Sequence, residues 1–152
     1  MASKIIHFDV LGTPVGKGRP RFARRGNFVT TYSPQKNIDA ERSLLAQSIE
    51  YKPETPWNCA LGIRIEAIFE RPKSHYGTGR NVNLLKDTAP LFHTCKPDGD
   101  NVGKNCIDAM NEVFFKDDSQ IVVCNIIKQY GNISMLRIWL WQIETLSDFN
   151  RY

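Results

Sequence analysis

The sequence predicts an α+β fold: one domain over residues 1–152, with a mixed sheet of four to five strands and two main helices. Three observations carry this. Apolar residues alternate with period two in several runs, they recur with helical spacing in two others, and the runs do not follow a strict strand–helix repeat. At 152 residues and 41% hydrophobic content, the chain is long enough to bury one core and too apolar to be disordered throughout.

In chain order, Ile5 to Leu11 sets Ile6, Phe8 and Val10 against His7 and Asp9, the alternation of a half-buried strand. A basic loop over 12–27 follows. No carboxylate occurs between Asp9 and Asp39, while Lys17, Arg19, Arg21, Arg24, Arg25 and Lys36 are all positive. Such a run suits contact with a phosphate backbone. Phe22 and Phe28 within it are expected to be buried rather than stacked on bases. Phe28 to Tyr32 is a short strand candidate; Ser33 then offers an N-cap and Pro34 a first-turn proline for a helix reaching about Ile49, with Ile38, Leu44, Leu45 and Ile49 near one face.

Asn58 to Glu70 alternates with Leu61, Ile63, Ile65, Ala67 and Phe69 on one side, the clearest strand in the chain. Residues 71–92, interrupted by proline, glycine and asparagine, read as a long surface loop, either solvated or touching nucleic acid through Arg71, Lys73, Arg80 and Lys86. Gln120–Gln129 and Ile133–Ile143, joined by Tyr130-Gly131-Asn132, read as a hairpin. The second strand has Trp139 and Trp141 on one face and Leu136, Ile138 and Leu140 on the other. It is therefore central or part of a subunit interface, and the tryptophans are assigned to the interface. The tail from Glu144 carries no signal.

The four cysteines form no C-x-x-C pair, so reduced core thiols are expected rather than disulfides or a zinc ribbon. No run approaches the roughly 18 apolar residues of a membrane span and the N-terminus lacks a secretion-signal core, so a cytoplasmic location is expected.

Between Lys96 and Val123 the chain gathers Asp98, Asp100, Asp108, Glu112, Asp117 and Asp118 although the whole protein is +4. Counting 100° per residue puts Asp100, Asn101, Lys104, Asp108 and Asn111 on one helical stripe, with Gly103, Cys106, Ile107, Met110, Val113 and Phe114 on the reverse face. Asp98 or Asp100 alone could be a helix cap. Two aspartates and a following Asp117-Asp118 pair exceed what capping needs. If they converge, the repulsion among them calls for a cation such as Mg²⁺. Lys104 has the plainer alternative of an i,i+4 ion pair with Asp108.

The pattern Lys96-Pro-Asp-x-Asp-Asn-x-x-Lys-x-x-x-Asp-Ala-Met-Asn, followed by Asp-Asp-x-Gln-Ile121, resembles the signature of the RusA family of Holliday junction resolvases, often carried by phages and prophages. Gly16-Lys-Gly-Arg-Pro-Arg-Phe22 and Tyr32-Ser-Pro34 extend the likeness. The resemblance implies a RusA-like fold and a homodimeric, Mg²⁺-dependent endodeoxyribonuclease (Mn²⁺ substituting) that acts on four-way or branched DNA in recombination and repair. It matches the family's metal-holding acids to Asp98, Asp100 and Asp118 and its catalytic lysine to Lys104. Asn101, Asp108 and Asn111 are supporting candidates, and Lys17, Arg19, Arg21, Arg24, Arg25 and Lys96 are DNA-contacting ones. If a strand starts at Asp117, Asp118 and Gln120 share a face, which favours Asp118 over Asp117. Two departures stand out: Gly103 weakens the helix interior by about 1 kcal/mol relative to alanine, and Glu112 occupies a position where relatives often carry glycine. A less selective branched-DNA nuclease and a non-enzymatic DNA-binding accessory protein are the rival readings.

Overall fold

The computed structural model describes residues 4–150. Four strands form the main sheet: β1 (Ile5–Leu11), β4 (Leu61–Glu70), β5 (Ile121–Gly131) and β6 (Met135–Gln142), in the order β1-β6-β4-β5. β2 (Arg21–Arg25) and β3 (Phe28–Tyr32) pair only with each other as an antiparallel ribbon. Helices α1 (Gln35–Ser48) and α2 (Gly99–Met110) pack against one another and against β1 and β5 respectively.

The period-two pattern explains the core. Phe8 and Val10 of β1, Ile63 and Ile65 of β4 and Ile138 and Leu140 of β6 meet Leu44 of α1 and Val102, Cys106 and Met110 of α2. Each large aliphatic side chain so buried contributes about 1.5–3 kcal/mol.

The expected hairpin does not form. β6 pairs antiparallel with β4, and β5 pairs parallel with the other side of β4. β4 is buried along nearly its whole length, whereas β5 is only partly buried, as the interior place of β4 and the edge place of β5 in the sheet require. The link Asn132 to Ser134 can extend about 10 Å, enough to step across a sheet whose strands lie about 4.8 Å apart. It is pinned there by Arg71 N–H to Gly131 O at 3.0 Å and Glu70 N–H to Ser134 Oγ at 3.0 Å. A parallel neighbour requires a crossover, and the crossover from β4 to β5 is the segment that contains α2.

Several local expectations change. The basic loop is only partly a loop, since Arg21–Arg25 is a strand. Its Phe22 and Phe28 are exposed, not buried. Pro34, not Ser33, occupies the N-cap of α1, and no side chain caps it. Trp141 is fully buried and its indole N–H donates to Asp148 O at 2.9 Å, so the tail covers it rather than a subunit partner. Asp148 is itself buried, and its Oδ2 accepts from the Glu144 and Thr145 N–H groups. The tail thus has a packing role that its polar composition hid. Trp139 stays partly open, stacked on His7 with ring centroids 4.6 Å apart.

All four cysteines are free, but only Cys106 is a core thiol; burial pushes its pKa up to about 12. The loop after β4 returns along the outer edge of β5, where His93 N–H donates to Lys128 O and Tyr130 N–H to Leu91 O. It shields an edge that would otherwise offer free pairing groups. Arg71 Nη1 and Lys86 Nζ are committed to the carbonyls of Pro90 and Ser74 within that loop. Among the described residues no helix is long and apolar enough to cross a membrane.

Candidate active site

α2 starts at Gly99 with Asp98 in the N-cap position, yet the Asp98 side chain makes no capping bond. Capping therefore does not account for it. Asp117 is the acid that caps: its Oδ1 accepts the Ser119 N–H at 2.9 Å, and the Gln120 side chain answers by accepting the Asp117 N–H at 2.8 Å. Hydrogen bonding from Ser119, through its side chain first and then its N–H, holds the Asp117 carboxyl below the usual carboxylate range. The strand expected from Asp117 begins instead at Ile121, after a 3₁₀ turn over Asp118–Gln120. Gln120 also donates to Trp57 O at 3.0 Å and Cys59 O at 2.8 Å. Asp118 is thus held between a capping residue and an anchored one, with its own carboxylate left over.

That carboxylate lines a cavity of about 380 Å³ with Asp100, Lys104 and Asp108 of α2 and with Ile121, Cys124 and Ile126 of β5. Gly103 is on its wall. A Cβ there would come within 2.4 Å of Ile126 Cδ1, so the glycine that costs helix propensity lets α2 approach β5 closely. Asp98 lies next door, in a cleft of about 640 Å³ shared with Lys96, Asn101, Lys36, Lys17 and Arg21. Asp98, Asp100, Lys104 and Asp118 are all exposed, and among the described residues their side chains make no hydrogen bond or ion pair.

The other candidates are placed differently. Asp108 faces the cavity, but its Oδ2 is 3.0 Å from Lys17 Nζ, which also meets Glu41 Oε1 at 2.6 Å. The expected Lys104–Asp108 pair is absent from the described ion pairs because Lys17 has taken the carboxylate. Burial alone would lower the Lys17 pKa; the bonds from its ammonium to Glu41 and Asp108, and their charges, outweigh burial and raise it. Asn111 does not line the cavity. The helix ends at Met110, and Asn111, at ψ 140°, leaves the helical stripe; its Oδ1 is buried without a partner. Asn101 borders the cleft and accepts the Lys17 N–H through its carbonyl at 2.8 Å.

Sequence reasoning missed Asn37 and Glu41. Asn37 is buried on α1, accepts the Gly18 N–H at 3.1 Å and donates to Gly16 O at 2.8 Å. The only available signal was a polar residue on the side of α1 that faces the basic segment. Asn37 and Glu41 fasten the root of that segment to α1, as Asn101 and Asp108 fasten it to α2.

Oxygen donors of this kind suit a hard cation such as Mg²⁺ or Mn²⁺. Among the described residues, no three His, Cys, Asp or Glu side chains stand close enough to hold an ion by themselves. Asp100 and Asp118 nevertheless share a cavity, and Mg²⁺ is commonly held by one or two carboxylates plus water and substrate phosphate.

A basic α+β domain that keeps unpaired carboxylates and an unpaired lysine side by side has the makeup of a nucleic-acid hydrolase. The family model described as endodeoxyribonuclease RusA matches residues 12–140, a stretch that includes the basic segment, both helices and every acid of the candidate site. The chain belongs to the RusA family, which indicates an endonuclease of the Holliday-junction-resolvase kind. It is also 28% identical over 139 residues to the uncharacterized protein YqaN of Bacillus subtilis (strain 168), an alignment covering 91% of this chain and 97% of that one.

Proposed function

We propose that this protein resolves four-way DNA junctions by divalent-cation-dependent phosphodiester hydrolysis during recombination and repair, as a cytoplasmic homodimer of phage or prophage type. Asp98, Asp100, Lys104 and Asp118 are its catalytic groups. The supporting observation is the cavity where Asp100, Lys104 and Asp118 meet without internal partners. Carboxylates left unpaired beside a DNA-binding surface repel phosphate unless a cation joins them, so a purely DNA-binding role would gain nothing from them.

Asp100 and Asp118 would hold Mg²⁺, or Mn²⁺ in its place, with Asp98 adjoining from the neighbouring cleft. When bound, the ion supplies Lewis-acid polarisation of the scissile phosphoryl group. Lys104 offsets the negative charge that accumulates on that group in the transition state. Lys96 and Arg21 grip the strand in the cleft beside Asp98, and Arg19, Arg24 and Arg25 continue the grip on flanking phosphates. Asp108, neutralised by Lys17, adds little repulsion near the substrate, and Lys17 is correspondingly withdrawn from the set of DNA contacts. Paired symmetric cuts need two sites related by a two-fold axis, which a homodimer provides.

The test is a panel of synthetic four-way junctions, forks and linear duplexes incubated with Mg²⁺, Mn²⁺ or EDTA. Paired symmetric nicks confined to junctions and abolished by EDTA are expected. Cutting of every substrate would mark a general nuclease, and binding without metal-dependent cutting would reduce the protein to an accessory factor. Sedimentation as a clean monomer at working concentration would refute the dimer.

A further inference from the structure

The β2–β3 ribbon leaves both of its faces uncovered. Its register sets Arg21 opposite Tyr32 and Arg25 opposite Phe28 on one face, with Phe22 opposite Thr31 and Arg24 opposite Val29 on the other. Phe22 and Phe28 are 75% and 80% exposed, and Val29 and Tyr32 are exposed as well. A lone two-stranded hairpin is marginal in water, and a group of large apolar side chains displayed on one marks a surface that a partner covers. The charge identifies the partner. Arg19, Arg21, Arg24 and Arg25 lie in a stretch without a single carboxylate between Asp9 and Asp39, which selects a polyanion and makes a second copy of the same ribbon repulsive.

The ribbon is rooted at the candidate site. Arg21 lines the same cleft as Lys96 and Asp98, and just before it Lys17 and Gly18 are tied to Glu41, Asp108 and Asn37. A DNA strand seated in that cleft therefore runs directly onto the ribbon. Phenylalanine offers neither donor nor acceptor for base edges, so these rings are poor groove readers. They are suited to stacking, which any base accepts. Unstacking costs least where pairing is already interrupted, as it is at a branch point.

We propose that Phe22 and Phe28 are base-stacking wedges: the ribbon enters the opened centre of branched DNA, the rings stack on bases unstacked there, and Arg21, Arg24 and Arg25 clasp the adjoining phosphates. The proposal rests on the junction-nuclease reading and adds to it a physical basis for preferring branched over linear DNA.

The experiment places 2-aminopurine at the branch point of a four-way junction, or ten base pairs along one arm, and follows binding in EDTA by fluorescence and titration. Wild type, Phe22→Ala/Phe28→Ala and Arg24→Ala are compared, with a linear duplex as control. Because both rings are exposed, the double variant should melt as wild type does. Wild type should change the branch-point emission and leave the arm signal unaltered. The double variant should lose about tenfold or more in junction affinity, lose the emission change, and keep duplex affinity and salt dependence. Arg24→Ala should keep the emission change and lower the slope of log K against log salt by about one. A double variant that binds junctions and perturbs the branch as wild type does overturns the proposal while leaving junction cleavage intact. A double variant that sediments as monomer where wild type is dimeric also overturns it, assigning the rings to a second copy. Wild type that binds no junction ends both this proposal and the reading beneath it.

Discussion

Removing the Lys17 ammonium should damage the fold and leave DNA contact alone, the reverse of what its place in a basic segment suggests. Lys17 Nζ lies 2.6 Å from Glu41 Oε1 and 3.0 Å from Asp108 Oδ2, and its side chain is only 22% exposed, against 29% and 28% for its partners. In Lys17→Met the two carboxylates remain close enough to have shared one ammonium, and unit charges about 5 Å apart repel by about 3 kcal/mol at an effective dielectric constant of 20. Reorientation and residual solvent relieve part of this, while the methionine stem keeps the packing. The expected net loss is about 2 kcal/mol, between the small worth of an exposed pair and the 3–5 kcal/mol of a buried one left unpaired. For a chain of this length that lowers Tm by about 4–8 °C.

Denaturant unfolding of wild type, Lys17→Met, Asp108→Asn and the double variant gives the energy and the coupling. Because the Lys17 pKa is raised above the ordinary 10.5 in the folded protein, its stabilisation is complete below that value and disappears as pH rises through the folded pKa. The difference between wild type and Lys17→Met should therefore be flat across neutral pH. A variant as stable as wild type, whose junction binding loses about one unit of salt slope, would refute the reasoning and return Lys17 to the DNA-contacting set.

Two further outcomes follow from backbone and packing. A Cβ on Gly62 would fall 2.2 Å from two atoms of the buried Trp141 indole, so Gly62→Ala should cost at least the roughly 1–3 kcal/mol of overpacking and expose the tail from Glu144 to proteolysis; a melt unchanged from wild type would contradict this. Glu112 holds φ at 63°, a left-handed value at which side chains other than glycine are strained by about 1–2 kcal/mol. Glu112→Gly should match or exceed wild type in thermal stability, and a loss above about 1 kcal/mol in denaturant titration would show that the acid has an energetic role.

The parts of the fold that depend on local periodicity were legible in the sequence. β1, β4 and both helices follow from the spacing of Phe8, Val10, Ile63, Ile65, Cys106 and Met110, because burial on one face imposes the period directly. The placement of β5 was not legible. Tyr130-Gly131-Asn132 specifies a reversal, and a reversal is equally compatible with a hairpin or with a step across β4; only the competition for the buried centre decides. Phe22 and Phe28 defeated the rule that large apolar residues lie inside, because the ribbon that carries them pairs with no other strand of the sheet. Asp148 gave no signal because its role is to receive backbone N–H groups from its own turn and to close over Trp141, neither of which has a sequence period.

At the site, the helical count correctly grouped Asp100, Lys104 and Asp108 but carried the stripe one residue too far, to Asn111, since it contains no term for where a helix stops. It also paired Lys104 with Asp108, the nearest partner on the helix, when Lys17 arrived from 91 positions away in sequence. The structure separates Asp118 from Asp117 by a different feature from the one expected. A capping box consumes Asp117, not the alternation of a strand.

That division between adjacent aspartates is the most direct point of attack on the account. Single-turnover cleavage of a four-way junction in Mg²⁺ should be measured for Asp118→Asn and Asp117→Asn, each with its junction affinity in EDTA and its thermal melt. Asp118→Asn should fold and bind as wild type does while its cleavage rate falls at least about 10²-fold, the scale on which removing even one preorganised hydrogen-bond donor to the transition state lowers a rate. Asp117→Asn, which keeps a capping side chain, should cut at close to the wild-type rate. Full cleavage by Asp118→Asn, or loss of cleavage confined to Asp117→Asn, would contradict the assignment of the cavity between α2 and β5 as the active site.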